Sequence, residues 1–308
     1  MNLHLLRLFA TVAQHGSFSR AATVLHISQP AVSKGIREFE AQVGTALLAR
    51  GVGGVRPTEA GQRLMVQARA LFALERTAEE ELEAFRGLRR GTLAIGASTT
   101  IATYLLPPLL GAFSRQHPSI ELRMTSANTR RIAELLLGHE LDIALAEGPT
   151  HEFNLVARPW RSEEMALIAA PEHRLARLSP ESTLKTLEDE IFLLREPGSG
   201  TREVVIAALA SRGIRPRRLI EIGSTEAIKQ MVAAGFGVAI VSAAAAADQI
   251  ALGRVVVIKP ARFEVCRSLM RLSLAGRPAS AAAMAFDRLL DSGTGNERPS
   301  KPRGRKRG

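Results

Sequence analysis

The stretch that most constrains this 308-residue chain is SQPAVSKGIREFEAQVG, residues 28–44, because it reads as a helix whose faces differ in kind. Val32, Ile36 and Phe39 recur at i, i+4 and i+7, the spacing of a buried stripe. Gln29, Ser33 and Arg37 are also spaced by four, on another face, with Lys34 beside them. Ser28 is a natural N-cap, and Pro30 is tolerated because the first helical turn has no use for its N–H. Upstream, Leu5, Leu6, Phe9, Val12 and Ala13 share one face of a helix over 3–15 that Gly16 stops. Ser19 is the expected N-cap of a short second helix burying Ala22 and Leu25, and residues 26–28 form a tight turn into the third. Two helices joined by a three-residue turn, the second with a polar, basic face, is the helix-turn-helix layout. Gln and Arg can pair with base edges in the major groove, while Ser and Lys suit phosphates or bases. A solvated face on a three-helix core has the same periodicity, so spacing alone leaves both readings open.

After the third helix, ALLARGVGGVRPTEAG (46–61) places Arg50 and Arg56 on either side of a Gly-rich loop, the pattern of a small β-wing. Thr58 is the expected cap of a long helix over 58–90 without internal proline. In it Leu64, Ala68, Leu71, Glu75, Ala78, Leu82 and Phe85 alternate spacings of four and three, a coiled-coil seam with one polar member. The remaining faces are heavily charged, which favours a helix-to-helix contact between two copies over packing on the chain's own body. Two reading heads suit double-stranded DNA with two-fold related half-sites.

From Gly91 the texture changes. TLAIGAS, IELRMTSA and DIALAE read as strands separated by helical segments, IATYLLPPLLGAFSRQHP with Pro107-Pro108 as an irregularity, and TRRIAELLLGHE. A second series runs from EMALIAA through IFLLRE, TREVVIAALASRG, RLIEIGS, TEAIKQMVAAG, FGVAIVS and VVVI, followed by RSLMRLSLA (267–275) and ASAAAMAFDRLLD (279–291). Such alternation predicts α/β units with a largely parallel sheet. The expected organisation is therefore a DNA-binding domain over 1–60, a linking and dimerising helix over 61–90, and a two-lobed α/β domain over 91–291. Lobe I takes 91–161 and 267–291, and lobe II takes 162–266. The segment 292–308 is expected to be a disordered basic tail, which adds either nonspecific DNA affinity or only solubility.

Ligand candidates lie where strands end and helices begin. Ser98, Thr99 and Thr100 offer hydroxyls and helix-start N–H groups to an anion. Gly198, Ser199, Gly200, Thr201 and Arg202 do so on the second series, the glycines allowing close approach and Arg202 offering a cation to a carboxylate or phosphate. Ser224 and Thr225 open a third helix. For each alone, ordinary capping is the stronger explanation; two such turns on facing lobes raise the ligand reading to at least an equal one.

Charge is unevenly placed. The net charge is +11, with 12 basic against 8 acidic residues in 1–90, 23 against 21 in 91–291, and 6 against 1 in 292–308. Basic ends on a near-neutral body favour a polyanion. Cys266 is alone, so neither a disulfide framework nor a thiolate metal site is expected. The seven histidines (4, 15, 26, 117, 139, 151 and 173) show no metal-ligand spacing, and no nucleophile triad, HExxH or nucleotide fingerprint stands out. No metal, no cofactor and no enzymatic activity is expected. The N-terminus lacks a secretion signal and no apolar run nears a membrane span, so the expected location is the cytoplasm, with no membrane partner.

The string SFSRAATVLHISQPAVSKGIREFEAQVGTALLARGVGGVRPTEAG closely resembles the N-terminal domain of LysR-type transcriptional regulators. The resemblance implies a winged helix-turn-helix, in which Ser28, Gln29, Pro30, Ser33, Lys34 and Arg37 approach the major groove and Arg50 and Arg56 the neighbouring groove or backbone. Lys34 stands where the family more often has Arg, a better bidentate reader. It also implies dimers, usually extended to tetramers, and an effector domain similar to periplasmic solute receptors. In that domain Ser98, Thr99, Thr100 and Thr201 line the cleft between lobes and Glu147 lies near it. REPGSGTR and GSTEAIKQMVAAGFGVAIVS resemble the subgroup of Calvin-cycle and sulfur-metabolism operon regulators, which implies a small anionic effector. The pentaalanine at 243–247 departs from the pattern there.

Overall fold

The computed structural model describes residues 2–51, 54–84, 91–148 and 152–293. The chain divides into two compact units, the first spanning residues 1–79 with 138–140.

In the first unit three helices form one core. Helix α1 (Leu3–His15) ends at Gly16, whose φ of 62° reverses the chain. Helix α2 (Phe18–Leu25) follows at once, so its cap is Ser17 rather than Ser19. Gly16 turns the chain sharply enough that Ser17 is the extended residue, and its hydroxyl accepts from the Arg20 N–H. Helix α3 (Gln29–Val43) is capped by Ser28 as expected. Leu5, Leu6, Phe9 and Val12 pack against Ala21, Ala22, Val32, Ile36 and Phe39, with the Phe9 and Phe39 rings 6.2 Å apart. A Cβ at Gly35 would fall 2.3 Å from Leu8, which is why this crossing takes glycine.

Strands β1 (Leu48–Gly51) and β2 (Gly54–Pro57) make the antiparallel wing. Glu40 of α3 fixes its root by accepting from the N–H groups of Leu47 and Leu48 at 2.8 and 3.1 Å. The Val55 N–H donates to Gly16 O at 2.9 Å, pinning the wing to the end of α1. Helix α4 (Glu59–Ala84) starts at the Thr58 cap. Its first turns complete the core with Leu64, Met65 and Ala68. The seam expected over 64–85 therefore divides: Leu64 and Ala68 pack inside their own domain, because α4 must cover one side of the three-helix core. Leu82 is 68% exposed, and Phe85 lies outside the described residues.

The second unit begins with β3 (Gly91–Ser98), a π-helical turn (Ile101–Leu105) and α5 (Pro107–Gln116), whose prolines occupy the first helical turn. Then come β4 (Ile120–Ala127), α6 (Thr129–Leu137), β5 (Ile143–Glu147) and β6 (Leu155–Ala169). The chain continues through α7 (Pro180–Thr186), β7 (Ile191–Leu194), α8 (Gly200–Ala210), β8 (Arg218–Glu221), α9 (Thr225–Ala233) and β9 (Ala239–Ser242). It closes with α10 (Ala243–Ala251), β10 (Val256–Ile258), β11 (Val265–Leu274) and α11 (Ala281–Gly293).

The expected largely parallel sheet is instead mixed. β3 pairs in parallel with β4 and β5, and β7 with β8. The long strands β6 and β11 run antiparallel to each other through the whole unit, and β5, β9 and β10 join them antiparallel. The βαβ pieces are parallel as their crossovers require; the two crossing strands that link them are not. The first half of β6, LVARPWRSEE, shows no apolar alternation, so a strand is expected only from Glu164. Pro159 is accommodated at a register shift opposite Leu269 and Met270.

Apolar clusters lie on both sides of the crossing strands. Leu93, Ile95, Phe113, Trp160, Leu269 and Phe286 form one core, and Ile132, Leu136, Ala144 and Leu272 cover the other face of the same sheet half. Met165, Leu167, Phe192, Val205 and Ile240 form a third, and Ile168, Ile228, Val232 and Val241 a fourth. The two α/β halves thus share β6 and β11. The pentaalanine is the body of α10, capped by Ser242, with Ala245 and Ala246 fully packed. Among the described residues no helix is long and apolar enough to cross a membrane.

Candidate functional site

Two surfaces gather the candidate residues. The first is the outer face of α3. Gln29, Pro30, Lys34 and Arg37 are exposed, and Ser33 is half-buried between them. Gln29 Nε2 donates to Ser33 Oγ at 3.1 Å and Arg37 Nε to the Ser33 carbonyl at 3.3 Å, so the three lie in one line along the helix. Ser28 is exposed at the head of that line while its hydroxyl caps the helix. Arg56 is exposed on β2; the Arg50 backbone pairs with Val55, and its side chain is outside the described residues. An open groove of about 610 Å³ runs from Gln29 past Ser17, Phe18 and Arg20 to Gly54 and Val55 of the wing. Ser17 and Arg20 line it together with Ser19, and no sequence signal places them there. Among the described residues none of Arg20, Lys34, Arg37 and Arg56 is in an ion pair, so this face is positive and unneutralised.

The second surface lies between the two α/β halves, at the carboxyl ends of β3, β5 and β7. Ser98 is 2% exposed and its hydroxyl has no hydrogen-bond partner among the described residues. Thr100 is equally buried and its side chain caps nothing. Glu147, at the end of β5, accepts from Thr129 Oγ1 at 3.1 Å. The loop before α8 closes on it from the other half. A Cβ at Gly200 would fall 2.4 Å from the Glu147 carbonyl, so only glycine fits, and Gly198 has a φ of 87° over the Arg130 side chain. Ser199 and Thr201 are buried at the start of α8.

Arg202 does not join them. Its guanidinium donates to the Arg195 carbonyl at 2.8 Å and faces Glu221, bracing its own half. The cations that do converge are Arg195, Arg267 and Lys229, none of them expected from sequence. Arg195 is 4% exposed; it holds Glu196 through Nε at 2.7 Å and Nη2 at 2.9 Å, Thr225 through Nη1 at 3.0 Å, and Thr99 of the facing half through Nη2 at 3.0 Å. Arg267, fully buried on β11, pairs with Glu163 at 2.7 Å and Glu147 at 3.2 Å and donates to Thr201 Oγ1 at 2.7 Å. Glu163 also accepts from Ser242. Lys229 donates to Tyr104 Oη at 3.0 Å, to the Ala245 carbonyl at 2.7 Å and to Glu226 at 2.8 Å. Burial works against the Lys229 ammonium, but hydrogen bonds to Glu226 and Tyr104 outweigh it and hold Lys229 above the usual lysine range. The same bonds, from Lys229 first and then Gln230, keep Glu226 below the usual carboxylate range. Only Arg267 left a trace in the sequence: it occupies an inward position of β11, alternating with Val265 and Leu269.

Residues 3–62 match the family model described as bacterial regulatory helix-turn-helix protein, lysR family, and residues 86–293 match the LysR substrate binding domain. This chain belongs to the LysR family of transcriptional regulators. It is a DNA-binding regulator with an effector-binding domain, not an enzyme. A RuBisCO operon transcriptional regulator of Allochromatium vinosum is 34% identical to it, over 93% of this chain and 94% of that one, which agrees with the Calvin-cycle resemblance. A full-length OxyR variant from Pseudomonas aeruginosa shares the fold with a TM-score of 0.76 at 27% identity, over 95% of this chain and 94% of that one. The regulatory domain of Synechocystis PCC6803 CcmR, solved in complex with 2-PG, superimposes with a TM-score of 0.62 at 30% identity, over 67% of this LysR regulator and 99% of that chain.

Proposed function

We infer that this LysR regulator works in the cytoplasm as a dimer or tetramer whose grip on promoter DNA is set by a small anion held between the lobes. Residues 1–60 bind the DNA. Gln29 and Arg37 read base edges in the major groove, Ser28, Pro30, Ser33 and Lys34 flank them, and Arg50 and Arg56 of the wing hold the adjacent backbone. Residues 61–90 couple two copies. In 91–291, lobe I (91–161 and 267–291) and lobe II (162–266) meet at β6 and β11 and close on the effector.

The observation that carries the effector reading is the buried, unpartnered Ser98 hydroxyl beside Thr99, Thr100 and the Gly198–Thr201 turn. A buried polar group without a partner costs about 1–3 kcal/mol, and a ligand oxygen at that place would relieve it. The bound state of the CcmR domain supports an anion of the 2-PG kind as the class of effector. Binding would favour one arrangement of the lobes over another and change the spacing or bend of the DNA held by the assembly.

The test pairs calorimetry with footprinting on DNA from the flanks of the gene. Thr100→Val and Thr201→Val together should abolish the response to 2-PG and leave the footprint in its absence intact. A response that survives both changes sinks the cleft assignment.

A further inference from the structure

We propose that Glu196 is a built-in stand-in for the effector's anionic group, holding Arg195 until the effector displaces it. The proposal rests on the cleft reading above and names the receptor cation and its internal competitor.

Arg195 is anchored and Glu196 is not. The guanidinium is 4% exposed and is held by Thr225 on its own lobe and Thr99 on the facing one, so its position is set by neutral hydroxyls that bind it in either state. Among the described residues its one charged partner is Glu196, which offers both carboxylate oxygens, one to Nε and one to Nη2, in the fork geometry an Arg also offers a ligand carboxylate or phosphate. The Glu196 side chain is 24% exposed, and besides Arg195 its carboxylate accepts from its own backbone N–H and, at 3.3 Å, from Asn128 Nδ2. Rotation about its own side-chain bonds returns it to water, where a lone carboxylate is well solvated. Arg195 has no such exit.

The other two buried cations, Arg267 and Lys229, cannot play this part. Arg267 is closed off by two buried carboxylates, and Lys229 is bonded to a buried backbone carbonyl as well as to Glu226. Among the buried cations, an incoming oxyanion therefore meets one exchangeable position. Exchanging one carboxylate for another keeps Arg195 neutralised throughout, so the cleft avoids a bare buried charge in either state. The competition also sets a threshold, since the effector must outbid a tethered anion rather than fill a vacancy. Contact through Thr99 and Asn128 places both the cation and its competitor on the seam between lobes, so the exchange alters lobe-to-lobe contacts directly.

The experiment titrates the full-length chain with 2-PG and with inorganic phosphate by calorimetry, using Glu196→Gln, Arg195→Gln and the double variant, each checked for an unchanged melting transition. Glu196→Gln should bind the anion about tenfold or more tighter than the unaltered chain, the scale on which one adjacent opposite charge acts. Arg195→Gln should lose binding, and adding Glu196→Gln to it should restore nothing. Unchanged or weaker binding by Glu196→Gln, with Arg195→Gln still impaired, overturns the stand-in role and leaves the cleft reading standing. Binding indifferent to both changes, or no binding of either anion to Glu196→Gln, overturns the proposal together with the choice of Arg195 as receptor.

Discussion

Arg267 on β11 donates through Nε to Glu163 on β6 at 2.7 Å, with both side chains buried, and so ties together the two strands that cross between the lobes. The same guanidinium reaches Glu147 at the end of β5 and Thr201 at the start of α8. Removing it leaves two buried carboxylates without a cation, and breaking a buried pair in this way costs about 3–5 kcal/mol. Arg267→Gln should therefore lower the urea midpoint of the effector domain sharply. Adding Glu163→Gln should recover part of the loss by removing one stranded charge. A single Arg267→Gln variant as stable as the unaltered chain would show that the triad is not a lock.

The DNA-reading face makes a separable prediction. Gln29→Ala and Arg37→Ala should each weaken binding to the cognate site by about 1–3 kcal/mol and relax sequence preference. Arg56→Ala should weaken cognate and random DNA alike and reduce the salt dependence by the contribution of about one phosphate contact. Fluorescence anisotropy over a salt series distinguishes the two behaviours. Equal losses on random DNA from all three changes would reduce α3 to a nonspecific contact.

How much of this was visible in the residues depends on whether the signal is local. The α3 line, the Ser28 and Thr58 caps and the wing follow from spacings within a few residues, and a string of about 45 residues names the family. The cap of α2 was misplaced by two positions because Gly16 and Ser17 together form the turn, and a serine inside the first helical turn looks like a cap in isolation. The cleft was half legible: Ser98, Thr100 and Thr201 sit at strand-to-helix junctions, where turn chemistry is written locally. Arg195 was hidden because Thr99, which it meets on the facing half, is 96 residues away, and Arg267 because Thr201 and Glu163 are 66 and 104 residues away. The first half of β6 was hidden because its pairing with β11 comes from across the domain and its own sequence carries a proline and four charged residues between 155 and 164.

The wing is held at its root by a single carboxylate. Glu40→Ala removes the acceptor for the Leu47 and Leu48 N–H groups, and Leu47 is part of the core. The expected cost is about 1–3 kcal/mol in the thermal unfolding of the DNA-binding domain. DNA affinity should fall further than that of a comparably destabilised surface variant, because the arginine-bearing hairpin loses its fixed angle to α3. Wild-type DNA affinity in Glu40→Ala at low temperature would show that the wing keeps its place without it.

Acid should loosen the contact between Tyr104 and the Glu226–Lys229 pair. Hydrogen bonds from Lys229 and then Gln230 keep Glu226 below the usual carboxylate range, so its folded value lies under its unfolded one. Its contribution is then fully present above the unfolded value and fades as pH falls through the folded one. The stability gap between the unaltered chain and Glu226→Gln should be constant near neutrality and close in the acid region. Lys229 is shifted upward, so its part is lost only as pH rises through the folded lysine value. A gap that widens on acidification would contradict the assigned sign.

Helix α4 leaves a row of large apolar groups uncovered. Leu74 is 55% and Leu82 68% exposed, while Leu64, Met65 and Ala68 are already used by the domain's own core. Leu74 and Leu82 are eight residues apart, close to two turns and a quarter, and Ala78 lies exposed midway between them. A stripe this apolar on an otherwise charged helix is best covered by the same stripe of a second copy, since a two-fold contact buries the stripe on both copies at once. Burying one leucine is worth about 1.5–3 kcal/mol, so Leu74→Glu with Leu82→Glu should remove four such groups from a dimer and add four charges. Sedimentation should then show monomers, with the helix-turn-helix still folded by circular dichroism. Operator binding should drop to the level of a single reading head, and a variant that stays dimeric with full affinity would place the pairing surface elsewhere on the chain.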